Sequence, residues 1–235
     1  MVVATHYAGY RAAMLATLAA YRARHFAERD VLFEKIAHDE IAFAPEAAHR
    51  NFFDPALYHE LTHRPPALRR LHSSRALAIS VFGTLARRED LALLAEVPCE
   101  DGRPVLASAA AADGLALQLQ HILPGQQVVD VWLHGKGTPL AVAGRLLERE
   151  PGALPLPTLG QGDQSFRTLV VYDARNPAWA AGRSLSRRLD ALADTLRPPA
   201  ALRRTTWQAI AAALARSPWF TDLLGYLREK YGIEG

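Results

Sequence analysis

With one cysteine, Cys99, the chain cannot form an intrachain disulfide, a cysteine-rich zinc site or a Cys-x-x-Cys redox motif. Cys99 itself reads as a small buried apolar residue. Lysine is scarce, at Lys35, Lys136 and Lys230 only, so arginine supplies nearly all the positive charge behind a net +3. That surplus permits contact with a phosphate backbone but falls short of the clustered excess of a dedicated electrostatic binder. No stretch approaches the roughly 18 to 20 uninterrupted apolar residues of a membrane helix, which excludes a helical span. Glycine-rich nucleotide loops are lacking as well, since Gly135-Lys136-Gly137 and Gly160-Gln161-Gly162 do not have Walker or dinucleotide spacing. There is no Gly-x-Ser-x-Gly elbow. The opening 26 residues lack the basic start, apolar run and small-residue cleavage site of a signal peptide, so the expected location is cytoplasmic.

What is present is the balance of a globular protein, 50% hydrophobic and 22% charged over 235 residues. Residues 5–43 place Tyr7, Tyr10, Met14, Leu18 and Tyr21, then Leu32, Phe33 and Ile36, at helical spacing, which predicts helix in two pieces. Pro45, Pro55 and Pro65-Pro66 then break regular structure. Ser73 or Ser74 can cap a buried helix through Leu85, and 89–97 read as a second short helix. From 115 the period changes to that of strands: 115–123, 127–135 and 139–148, the last two as a hairpin, then the continuous apolar strand 166–175. Helix is expected at 179–196, strand at 202–207, and two helices at the C-terminus, the first capped by Thr205 or Thr206. Trp132, Trp179, Trp207 and Trp219 all lie in apolar periodic segments and are expected in the core. Arg183, Arg187 and Arg188 read as an ordinary polar face. The expected architecture is α/β, a mixed sheet of four or five strands flanked by helices, with residues 1–54 as an N-terminal helical extension and 55–235 as the core.

Two patterns could carry chemistry. His59-Glu60-Leu61-Thr62-His63 has the H-E-x-x-H form, in which two His one helical turn apart bind zinc and the Glu acts as general base of a metallopeptidase. Arg64 and Pro65-Pro66 follow at once, and a residue before proline avoids the α region, so the required helix is interrupted. The second pattern is Asp130 on a strand that turns into another strand, a geometry in which one carboxylate on each strand can hold a divalent metal for phosphodiester hydrolysis. Alone, a strand Asp reads as a hydrogen-bonded edge residue.

The surroundings of Asp130 resemble a known family. LHSSRALAISVFGTLA (71–86) is similar to the helix signature of a bacterial group of PD-(D/E)XK, restriction-endonuclease-like proteins, with a His-Ser-Ser-Gln-Ala opening followed by Asn-x-Phe-Gly. VVDVWLHGKGTPLAVAGRLLE (128–148) resembles its metal hairpin, and TTWQAIAAALARSPWFTDLLGYLREKYG (205–232) its C-terminal Thr-Trp helix and tail. With FRTLVVYDARNP, the likeness spans about residues 55–232, and its order and spacing carry more weight than any one piece.

The resemblance implies a restriction-endonuclease-like core, double-stranded DNA as partner and Mg²⁺ or Mn²⁺ as cofactor. Asp130 falls on the first metal carboxylate. The second strand, Glu-x-Lys in an active member, reads Ala143-Gly144-Arg145 here, and Arg75 and Ser80 stand where Gln and Asn are expected. Arg145 keeps the charge of the catalytic lysine, although a guanidinium suits phosphate binding better than proton transfer. A migrated carboxylate, Glu148 or Glu150, could complete a metal site, with Arg145 stabilising the developing charge. Glu148 lies five residues past Ala143, an odd offset that needs a bulge to reach the same face. The loop 149–165 is also short for the family. The simpler reading is a nuclease-family protein impaired in hydrolysis that acts as a DNA-associated or scaffold protein, with Arg69, Arg70, Arg75 and Lys136 as candidate phosphate contacts. The alternatives are an active metal-dependent endonuclease and the zinc metallopeptidase. The oligomeric state is left open, a homodimer included.

Overall fold

The computed structural model describes residues 2–27, 29–35, 41–123, 128–137, 139–147, 166–180 and 202–235. Helix α1 (Val2–Phe26) buries Tyr7, Met14, Leu18 and Tyr21 at the spacing seen in the sequence. The expected second helical piece is instead an antiparallel pair, β1 (Phe33–Lys35) and β2 (Ile41–Phe43), with Phe33 opposite Phe43. Cross-strand aromatic packing decides this: the two rings lie 4.6 Å apart, and Phe26 at the end of α1 closes on both at 5.5 and 5.4 Å. Tertiary contact overrides the local helical spacing there.

Prolines then organise the chain in short turns. A 3-10 turn covers Pro45–Asn51, and α2 (Pro55–His59) starts on Pro55 with Asp54 as its cap. Helix α3 (Ser74–Arg87) is capped by the Ser73 hydroxyl, which accepts from the Ala76 amide at 3.2 Å. It is buried almost all round and runs through the middle of the molecule. Residues 91–95 form a 3-10 turn where a short helix was expected.

The sheet follows the sequence pattern closely. Strand β4 (Val128–His134) pairs antiparallel with both β3 (Ala116–Ile122) and β5 (Leu140–Arg145), and β6 (Arg167–Tyr172) and β7 (Leu202–Thr206) continue parallel to β5. The order β3-β4-β5-β6-β7 makes an α/β fold around a five-stranded mixed sheet. Val131, Leu133, Leu140, Val142, Leu169 and Val171 turn one face to α3 and the C-terminal helices, and Ala143, Val170 and Tyr172 line the other face with Trp179. Of the helix expected at 179–196, α4 (Pro177–Ala180) is described, while Arg183, Arg187 and Arg188 lie outside the described residues.

Thr206 caps α5 (Trp207–Leu214), and Gly232 in the left-handed conformation ends α6 (Thr221–Tyr231). Trp132, Trp179 and Trp207 are buried as expected, but Trp219 is 75% exposed. Pro218 opens a 3-10 turn between the two helices, and the tight turn sends Phe220 into the core and its neighbour Trp219 outward. Cys99 is buried and unpaired, and burial pushes its thiol up to about 11, away from thiolate chemistry. Among the described residues no helix is long and apolar enough to cross a membrane.

Candidate nucleic-acid interface

Three segments meet at the carboxyl end of β5, where parallel strands of an open α/β sheet present their ligand sites. The first is the start of α3. Gly144 of β5 lets the two backbones approach so closely that a Cβ there would stand 2.6 Å from the Ser74 carbonyl oxygen. That contact brings Arg75, in the first turn of α3, over Asp130 of β4.

Arg75 grips Asp130 with two parallel bonds, Nε to Oδ2 at 2.7 Å and Nη2 to Oδ1 at 2.5 Å. The side chains are 32% and 15% exposed, so the pair is partly desolvated. An arginine in the first turn faces the positive end of the helix dipole, and the carboxylate offsets that conflict. Arg145 ends β5 beside them, its Nη1 donating to the Gly144 carbonyl at 2.7 Å and its own carbonyl accepting from Trp207 Nε1 at 3.2 Å.

The third segment is the stretch after α2. Gln120, buried on β3 with a left-handed φ of 56°, accepts from the His63 amide at 2.7 Å and the Thr62 hydroxyl at 3.1 Å, and donates back to the His63 carbonyl. Left-handed backbone is costly outside glycine, and here it aims the amide at a segment 57 residues away. The clamp holds His63, Arg64 and Pro65 along a cleft of about 730 Å³ that also takes in Thr62, Arg75, Val128, Asp130 and Arg145. Among the described residues, three guanidinium groups and one carboxylate line this open cleft.

Asp130 is the one carboxylate among the described residues that line this cleft, and each of its oxygens accepts one bond from Arg75. One rung beyond the paired residues Val131 and Val142, the position across from Asp130 is Ala143, which has no oxygen to offer. Glu148 and Glu150 lie outside the described residues. Among the described residues no three His, Cys, Asp or Glu side chains form a group able to hold a metal.

The H-E-x-x-H segment does not stay on one helix. Helix α2 ends at His59, whose ring stacks on His49 at 5.6 Å, while Glu60 pairs with Arg87 and His63 belongs to the Gln120 clamp.

The structure does not gather all the predicted contacts. Arg69 donates to Glu34 at 2.8 Å and to the Phe43 carbonyl at 3.1 Å, anchoring β1 and β2. Arg70 forms a backbone bridge with Ala42 and its carbonyl accepts from Asn51. Lys136 is exposed in the turn after β4, whose last residue, His134, is four residues and about 13 Å along the strand from Asp130. Arg64 and Gln120 lie in the site and were not singled out from the sequence. Arg64 follows a prolyl-flanked loop with no motif of its own, and Gln120 reads as an ordinary polar residue of an alternating strand.

A buried acid at the carboxyl end of β6 was also missed. Asp173, directly after β6, accepts from Arg175 Nη2 at 2.6 Å, Gln208 Nε2 at 2.8 Å and the Tyr10 hydroxyl at 3.0 Å. Burial alone would raise its pKa, but the bonds and charge from Arg175, with Gln208, hold it below the usual carboxylate range. Arg175 in turn donates to the Tyr231 and Gly232 carbonyls, so this acid ties α6 to the sheet. Comparison with protein-family models, curated proteins and solved structures finds no match for the chain.

Proposed function

We propose that the chain is a restriction-endonuclease-like protein, of the PD-(D/E)XK kind, that has exchanged phosphodiester hydrolysis for metal-independent binding of the double-stranded DNA backbone. One observation carries the reading: the guanidinium of Arg75 covers both oxygens of Asp130, in a cleft shared with Arg64 and Arg145. In a hydrolytic site of this kind a metal would polarise the phosphate and supply the attacking hydroxide. Here an internal cation takes up the carboxylate instead. Arginine presents several donors in a planar fork, cannot give up its proton at neutral pH, and so binds phosphate without activating water.

The position of the cleft at the start of α3 supports the same ligand. Helix N-termini attract phosphate, and the interface is positive without being so crowded with charge that the domain could not pack. The mild net charge of +3 agrees with a local rather than a global electrostatic surface.

Binding is expected to persist in EDTA and to weaken steeply between 50 and 200 mM salt in a gel-shift titration on duplex DNA, because phosphate contacts release counterions. Arg145→Ala should weaken binding across unrelated sequences and reduce the salt slope by about 1. Binding that needs a divalent cation, or that Arg145→Ala leaves untouched at both salt concentrations, would overturn the assignment.

A further inference from the structure

The far end of α3 carries a second surface, of opposite character. Between the C-terminus of that helix and the 218–220 turn lies a pocket of about 710 Å³ lined by Arg88, Glu89, Asp90, Trp219, Phe220 and Asp222. A 14-residue helix separates it from the cleft by about 21 Å. Three carboxylates stand against one guanidinium there, on a protein whose net charge is +3. The carbonyls that end α3 add partial negative charge on the same side.

The pocket already holds one guanidinium, and it comes from the chain itself. Arg88 lies over the Phe220 ring with its central carbon 5.2 Å from the centroid, and it pairs with Asp222 at 3.2 Å. An aromatic face and a carboxylate recognise one arginine in this way. A second set of the same parts sits beside it. Trp219 is 75% exposed and has no ring or cation partner among the described residues, and the carboxylates of Glu89 and Asp90 make no ion pair among them. Trp219 and Ile122 are the exposed large hydrophobic residues of the described chain, and Trp219 lines this pocket.

We infer that this pocket docks an arginine side chain of a basic segment in a partner protein, with the guanidinium on the Trp219 face and its charge met by Glu89 and Asp90. Charge complementarity decides the occupant: an acidic or neutral apolar segment would desolvate these carboxylates without compensation. The inference does not depend on the DNA-binding reading, since the two surfaces share no residue.

The test is a titration of the full-length chain with a labelled hexa-arginine peptide, followed by anisotropy. Acrylamide quenching is read in parallel, and it reports chiefly on Trp219 because Trp132, Trp179 and Trp207 are buried. The peptide should shield Trp219 from acrylamide, and Trp219→Ala and Asp90→Asn should each weaken binding about tenfold. Both positions are at the surface, so the variants are expected to retain the far-UV circular dichroism of the parent. Unchanged quenching at saturating peptide, or equal affinity in both variants, would overturn the inference. A dimer in sedimentation that Trp219→Ala dissociates and the peptide does not compete with would also overturn it, by assigning the pocket to a second copy of the chain.

Discussion

Asn51→Ala is expected to cost about 3–5 kcal/mol of folding stability, lowering the melting temperature on the order of 10 °C for a chain of this size. The reason is Lys230, whose ammonium is fully buried between α1, α6 and the Pro45–Asn51 turn. Its Nζ donates to the main-chain oxygen and the Oδ1 of Asn51, at 2.7 Å each, and to the Tyr226 hydroxyl at 3.0 Å. The rings of Tyr21, Tyr226 and Tyr231 surround it at 5.7, 5.0 and 5.1 Å. Burial pulls the lysine pKa well down.

Truncating Asn51 removes one of those acceptors and also the amide that donates to the Leu68 and Arg70 carbonyls at 2.6 and 2.8 Å. The buried lysine nitrogen, the buried Leu68 carbonyl and the part-buried Arg70 carbonyl then lose partners together. Lys230→Met alone should cost less, about 1–3 kcal/mol, since it leaves an unpaired oxygen but no charge. The double variant should fall short of the sum. Denaturant unfolding of the three variants measures this, and a loss under about 1 kcal/mol for Asn51→Ala would mean that the ammonium does not depend on this amide.

Asp173→Asn is expected to be nearly as damaging, about 3 kcal/mol at neutral pH, because it removes the buried charge that Arg175 meets with three side-chain bonds. It also loosens the contact between the sheet and α6. The same residue sets the acid limb of stability. Its folded pKa lies below the unfolded value of about 3.9, so the unfolded chain takes up the proton first, and the stabilisation present above that pH is lost as pH falls toward the folded pKa. His49 and His121 act in the same direction from about pH 6.5 downward, since burial lowers both and the unfolded imidazoles protonate first. Stability measured by denaturant at pH 7, 5 and 3 should therefore decline throughout, with the steepest loss below pH 4 in the parent and a flattened acid limb in Asp173→Asn. An identical acid limb in the two proteins would remove Asp173 from the account.

The sheet was legible because its signal is local. Alternation marks β3, a glycine-flanked turn joins β4 to β5, and a continuous apolar run marks β6, which is covered on both faces. Helix caps at Ser73 and Thr206 were legible for the same reason. What was missed depends on partners distant in sequence. The β1 and β2 pair forms because Phe33 meets Phe43, and the lysine cage joins residues 179 positions apart. Trp219 faces outward because of a proline turn that a helical period does not register. In the cleft, the departures at Arg75 and Ala143 could be read from the chain, whereas the grip of Arg75 on Asp130 and the Gln120 clamp could not. Arg69 and Lys136 were basic residues at plausible positions that the fold directs elsewhere.

Asp130 is proposed to hold an arginine and not a metal. Supercoiled plasmid incubated with the protein in Mg²⁺ and in Mn²⁺, beside Asp130→Ala whose fold is checked by circular dichroism, tests it most directly. The account predicts that neither protein nicks the plasmid, while the parent retains DNA binding in EDTA. Nicking by the parent that Asp130→Ala abolishes would contradict it and would point to Glu148 or Glu150 as the second carboxylate of a working nuclease.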